Sequence, residues 1–187
     1  RRFIRTIEQY LEPERNVGAQ GERPAPSSRY RILIVDDDPL NIKLLKAKLP
    51  TDRFETLSAL NGEEALLAAM NEIPDLILLD IMMPGMDGFE ISRKLKANPY
   101  TKEIPIIVVT ALEGLEEKIK GLEAGADEFL SKPVNTVELL ARIRSLLRLK
   151  QFRDRLIIRR QAEESLSFTG SPGATDETFP LTGKILL

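Results

Sequence analysis

Four short apolar runs in this chain each end on a residue that can do chemistry. Ile32–Val35 ends in Asp36-Asp37-Asp38, Leu76–Leu79 in Asp80, Ile106–Val109 in Thr110, and Phe129-Leu130-Ser131 in Lys132. Carboxylates brought close together repel one another and ionise most easily around a compensating cation. A donor set made only of oxygen suits a small hard ion, Mg2+ first, with Mn2+ or Ca2+ as alternatives. Thr110 then offers a neutral donor and Lys132 a compact positive charge to an anionic ligand. Phosphoryl transfer needs this set: cations to neutralise the equatorial oxygens, a donor to orient them and a nucleophile in line. Asp80 qualifies as that nucleophile, since carboxylates form acyl phosphates. Asp38, directly before Pro39, reads as a helix cap rather than a ligand. Taken singly, strand-end acids, threonines and Lys-Pro pairs are commonplace. Their shared order and placement make the pattern.

Residues so placed meet only if the runs are neighbouring parallel strands. Runs rich in Val, Ile and Leu, separated by helix-length segments, read as buried parallel strands. In an open parallel sheet the functional crevice lies at the carboxyl ends of those strands. Strands are predicted near 31–35, 54–59, 75–79, 104–109 and 127–131. Helices are predicted near 39–49, 61–71, 88–97, 113–124 and from 135 onward. Five strands alternating with five helices give an α/β fold: a doubly wound five-stranded parallel sheet with helices on both faces. Asn61-Gly62-Glu63-Glu64 supplies a cap and first-turn acids, and Pro84-Gly85-Met86-Asp87-Gly88 reads as a loop. The last helix continues as a C-terminal extension. Ile143, Leu146, Leu149, Phe152 and Leu156 recur at spacings of three or four, flanked by Arg144, Arg148, Lys150, Arg153 and Arg155. That pattern suits a connector helix or a short coiled coil, and hence a homodimer.

Composition excludes several chemistries. With no Cys among 187 residues, thiol catalysis, disulfides and cysteine metal sites are absent, which fits a cytoplasmic setting. With no His, the chain lacks histidine acid–base chemistry and cannot itself be a phosphohistidine donor. A net charge of −2 makes no electrostatic case for direct nucleic-acid or anionic-membrane binding. No apolar stretch reaches the roughly 18–20 residues that span a bilayer.

The stretches Ile32-Leu33-Ile34-Val35-Asp36-Asp37-Asp38-Pro39, Leu78-Leu79-Asp80-Ile81-Met82-Met83-Pro84-Gly85-Met86-Asp87-Gly88, Val108-Val109-Thr110-Ala111 and Ser131-Lys132-Pro133 resemble the receiver domain of two-component response regulators. The resemblance covers residues 30–150 and implies a flavodoxin-like receiver. By it, Asp80 is the phosphoacceptor, and Asp36, Asp37 and Asp80 hold Mg2+ together with the backbone carbonyl of Met82. Thr110 hydrogen-bonds the phosphoryl group and Lys132 pairs with it. Phe129 is the aromatic switch that turns inward when Thr110 moves, and the Lys132–Pro133 bond is cis. The partner is a histidine kinase or a histidine phosphotransfer protein. The output lies in another protein or in a further domain.

The rival from another class is an aspartyl-phosphate hydrolase. It needs a second acid two residues beyond the nucleophile, where this chain has Met82. A phosphorylation-independent interaction module is the third reading. It is disfavoured because every required side chain is present. The apolar pair Met82 and Leu112, two residues beyond Asp80 and Thr110, positions water poorly and predicts slow spontaneous dephosphorylation.

The flanks extend the resemblance. Residues 1–12 have helical spacing and resemble the last helix of a preceding receiver, with 13–29 as a linker. Residues 151–166 read as the connector and 167–182 as a second linker. Residues 183–187 resemble the first strand of a following receiver. Serial receivers of this kind are similar to the arrangement of PleD-like diguanylate cyclases.

Overall fold

The computed structural model describes residues 29–111 and 114–168. The expected helix at 1–12, most of the linker after it, most of the second linker, the strand at 183–187 and Leu112 lie outside the described residues.

Five strands form one parallel sheet: β1 (Tyr30–Val35), β2 (Phe54–Ala59), β3 (Leu76–Leu79), β4 (Ile106–Thr110) and β5 (Glu128–Ser131). Their order is β2-β1-β3-β4-β5, parallel throughout. Between and after them run α1 (Pro39–Lys48), α2 (Gly62–Glu72), α3 (Gly88–Ala97), α4 (Leu115–Glu123) and α5 (Thr136–Phe168). This is the doubly wound parallel fold that the alternation predicts, in the flavodoxin-like form that the resemblance implies.

Period-two alternation explains the two layers of helices. Ile32, Ile34, Leu76, Leu78, Ile107 and Val109 face one way and pack with Ile42 and Leu45 of α1 and Leu139, Ile143 and Leu146 of α5. The intervening Leu33, Val35, Ile77, Leu79 and Ile106 face the other way, against Ala65, Leu66 and Ala69 of α2 and Ile91 and Leu95 of α3. Burying each of these large side chains is worth about 1.5–3 kcal/mol, and the two-sided burial is why β1 and β3 read as unbroken apolar runs.

Caps set the helix starts near the carboxyl edge. The Asp38 carboxylate accepts from Leu40 N–H at 2.8 Å, so this acid is indeed a cap. Asn61 and Glu64 cap α2 reciprocally: Asn61 Oδ1 accepts from Glu64 N–H, and Glu64 Oε2 accepts from Leu60 N–H. Asp87 caps α3. At the other end of α2, Ile73 takes φ 44°, a left-handed conformation that is strained for a β-branched residue.

Most boundaries differ from expectation by only a residue or two, and three of the differences bear on packing. β4 begins at Ile106 rather than 104, because Pro105 has no N–H to give the ladder. β3 begins at Leu76 rather than 75, since the Asp75 carboxylate instead accepts from Arg31 N–H at 3.0 Å. α5 continues to Phe168, past the first residues read as linker. The described residues fall into two compact units that divide between Gln151 and Phe152. In the first unit Lys150 is buried, and its Nζ lies 3.4 Å from Asp75 Oδ1.

Candidate functional site

β1 lies between β2 and β3, so the chain's winding reverses beside it. This is the position where open parallel sheets bind ligands. Val35 pairs with Leu79 in register, so Asp36 and Asp80, the next residues on each strand, emerge side by side. Asp80 N–H donates to Val35 O at 2.9 Å and Asp36 N–H to Ala59 O at 3.2 Å, extending the ladder past both strand ends. Asp36 and Asp80 are buried, while Asp37 is exposed at the mouth. One carboxylate oxygen from each of the three lies within 4.8 Å of the others.

Lys132 reaches this group from β5. Its N–H donates to Thr110 O at 2.9 Å, which ties the end of β5 to the end of β4. Its Nζ bridges Asp36 Oδ2 at 2.8 Å and Asp80 Oδ2 at 2.9 Å. Burial alone would lower the Lys132 pKa. The hydrogen bonds and charges of Asp36 and Asp80 outweigh it and hold the ammonium above its ordinary value. The Lys132–Pro133 bond is cis. Thr110 closes β4 as a buried hydroxyl residue. Thus Asp36, Asp37, Asp80 and Lys132 meet directly, with Thr110 at the adjoining strand end.

Met82 enters through its backbone: its N–H donates to Asp80 Oδ1 at 3.3 Å, and the residue is 59% exposed. The close turn after Asp80 requires Gly88 in the first turn of α3. A Cβ there would lie 2.3 Å from the Asp80 carbonyl oxygen. Phe129 is half-buried beside Val108, Ala126, Ile81 and Phe89. Its ring lies over Gly121 of α4, where an added Cβ would stand 2.1 Å from Phe129 Cζ.

One residue of the site is absent from the sequence reading. Asn41, in the first turn of α1, donates from Nδ2 to Asp36 Oδ1 at 3.0 Å. Asp38 N–H donates to the same oxygen, also at 3.0 Å. A signal was present, a polar amide one helical turn after the acid pair, but the apolar-run pattern does not weigh it.

Three carboxylates against one ammonium leave two negative charges uncompensated in the crevice. The donor atoms are all oxygen, and two of the acids are buried, so a small hard divalent cation fits the site on charge and on ligand type. Among the described residues no helix is long and apolar enough to cross a membrane.

A family model described as the response regulator receiver domain matches residues 32–144. The response regulator PleD of Caulobacter vibrioides is 48% identical over 158 residues, which cover 84% of this chain and 34% of that protein. The chain thus spans about a third of that relative's length. A CheY-like receiver domain protein from Methanospirillum hungatei superposes with a TM-score of 0.63 at 35% identity, covering 67% of this chain and 99% of that one. The receiver domain of a Pseudomonas aeruginosa sensor histidine kinase, solved with a magnesium ion coordinated in its active site cleft, gives a TM-score of 0.59 at 28% identity. That match covers 64% of this chain and 98% of the other.

Proposed function

Because this chain belongs to the response regulator receiver domain family, we propose that it is a phosphoacceptor switch of a two-component phosphorelay, phosphorylated on Asp80. The observation that carries this reading is Lys132 bridging Asp36 and Asp80 at the sheet's switch point. A carboxylate that can serve as nucleophile, its acidic neighbours Asp36 and Asp37, and the Lys132 ammonium lie together there.

Asp36, Asp37 and Asp80 are the residues to hold Mg2+, with Mn2+ as a substitute and Met82 adding its backbone carbonyl. When bound, the ion supplies neutralising charge for the phosphoryl oxygens. An Asp80 carboxylate oxygen attacks phosphorus. An O–P bond to Asp80 forms as the P–N bond of a phosphohistidine donor breaks, and the donor's ring leaves as neutral imidazole, its other nitrogen keeping the proton it already carried. Lys132 shifts from the Asp80 oxygen to a phosphoryl oxygen, and Thr110 donates its hydroxyl to another. The product adds about 1.5 to 2 negative charges at the sheet edge. Thr110 and Phe129, on neighbouring strands, respond and bias the surface formed by α4, β5 and α5. A partner or output domain that prefers that surface completes the signal. The donor is a histidine kinase or histidine phosphotransfer protein.

Met82 supports this reading over an aspartyl-phosphate hydrolase. A thioether cannot exchange the proton that a hydrolase takes and returns at this position. The test is incubation with Mg2+ and either acetyl phosphate or beryllofluoride, comparing wild type with Asp80→Asn by intact mass. The wild type gains one phosphoryl group or one mimic and the variant gains none. No difference between them contradicts the proposal. The same sample, freed of donor, keeps its phosphate well beyond seconds if Met82 and Leu112 position water poorly. Loss within seconds contradicts that point.

A further inference from the structure

We propose that Asn41 is a positioning residue that selects which oxygen of Asp36 faces the cation. This rests on the reading of the acid cluster as a cation site. The two oxygens of Asp36 are used unequally. Oδ1 accepts two neutral donors, Asn41 Nδ2 and Asp38 N–H, each at 3.0 Å. Oδ2 faces the crevice, where it accepts only the Lys132 ammonium among its described contacts, at 2.8 Å.

A single backbone donor leaves a carboxylate free to pivot about its Cβ–Cγ bond. A second donor on the same oxygen, a side chain approaching from the first turn of α1, restricts that freedom. Asp38 N–H belongs to the loop after β1 and Asn41 to the first turn of α1, so the helix itself locks the carboxylate plane. The choice of an amide matters. Asn41 is uncharged, so it satisfies Oδ1 without cancelling the negative charge that draws the cation. A lysine or arginine there would add a rival cation. An acid there would repel Asp36 and donate nothing. Asp36 is 1% exposed, so no bulk water stands ready to replace a lost donor. Partners that orient a ligand in this way govern metal affinity although they never touch the metal.

The test measures binding rather than phosphorylation. Mn2+ serves as the probe, with free ion counted by electron paramagnetic resonance in wild type, Asn41→Ala, Asn41→Leu, Asp36→Asn and the double variant Asn41→Ala/Asp36→Asn. Asn41→Ala and Asn41→Leu should each weaken Mn2+ binding about ten-fold or more. Adding Asn41→Ala to Asp36→Asn should change affinity by less than about two-fold, because the group it acts through is already gone. Urea midpoints taken in parallel separate affinity loss from unfolding, and Asn41→Leu keeps the side-chain volume. Equal Mn2+ affinity in wild type and both single Asn41 variants overturns the inference while leaving the cation site standing. So does an equal loss in both Asp36 backgrounds, which would mark a structural role. A wild type that binds no Mn2+, or binding unaffected by Asp36→Asn, overturns the cation site as well.

Discussion

Lys132 bridges two buried carboxylates and offsets their mutual repulsion. Its removal should therefore expose how much repulsion the site stores. Lys132→Met should lower stability by about 1–3 kcal/mol in metal-free buffer. Mg2+ should restore more stability to the variant than it adds to wild type, since no ammonium then competes for the carboxylates. Urea denaturation with and without Mg2+ checks both. The pH dependence has a definite sign. The folded Lys132 pKa lies above the ordinary lysine value, so its contribution is complete below that value and fades as pH rises through the raised one. In metal-free buffer the stability gap between wild type and Lys132→Met should be constant from neutral pH up to about 10, while the carboxylates stay ionised, and narrow above it. A gap that does not narrow contradicts the ion-pair account of Lys132. The meeting of these positions was legible in the residues themselves. Asp36, Asp37, Asp80, Thr110 and Lys132 each follow an apolar run, and strand ends are where such residues gather. Asn41 was not, because its role depends on the direction from which a helix turn approaches a carboxylate. Spacing along the chain does not encode that direction.

β1, β3 and β4 announced themselves because the sheet is buried on both faces there, and α1, α2 and α3 because their caps are explicit. Their ends were harder to place. Pro105 withholds a ladder donor, and Asp75 spends its carboxylate on Arg31 N–H, so β4 and β3 each start later than their apolar patterns. The contact between α4 and β5 was illegible for a different reason. Gly121 looks like a weak helix residue, yet its missing Cβ makes the space in which the Phe129 ring lies. Gly121→Ala should displace that ring and cost about 1–3 kcal/mol through overpacking, despite alanine's better helix propensity. Adding Phe129→Leu to Gly121→Ala should recover part of the loss, giving a non-additive cycle by thermal or urea denaturation. Additive losses would show that Gly121 and Phe129 are not coupled. The same slot bears on the switch: a ring that rests on a glycine can leave its place with little resistance from that helix.

Over the chain as a whole, the first compact unit closes with contacts that the periodicity of α5 hides. The apolar stripe from Ile143 to Leu156 reads as continuous, yet Ile143 and Leu146 are buried while Leu149, Phe152 and Leu156 are more than half exposed. Between them Lys150 reaches Asp75, and Gln151 donates to the Tyr30 hydroxyl. A chain shortened to end at Gln151 should keep the stability of the first unit, whereas one ending at Leu147 should lose about 1–3 kcal/mol, read by urea denaturation. Equal stability would show that these contacts contribute nothing. Both shortened chains should still accept phosphate, because every residue of the site lies between Asp36 and Lys132. The most direct measurement of the central claim is chemical trapping on the full chain. After incubation with acetyl phosphate and Mg2+, borohydride reduction converts an aspartyl phosphate to homoserine, and peptide mapping locates it. Homoserine at position 80, abolished by Asp80→Asn, is the predicted result. Homoserine at another aspartate, or at none, would contradict it.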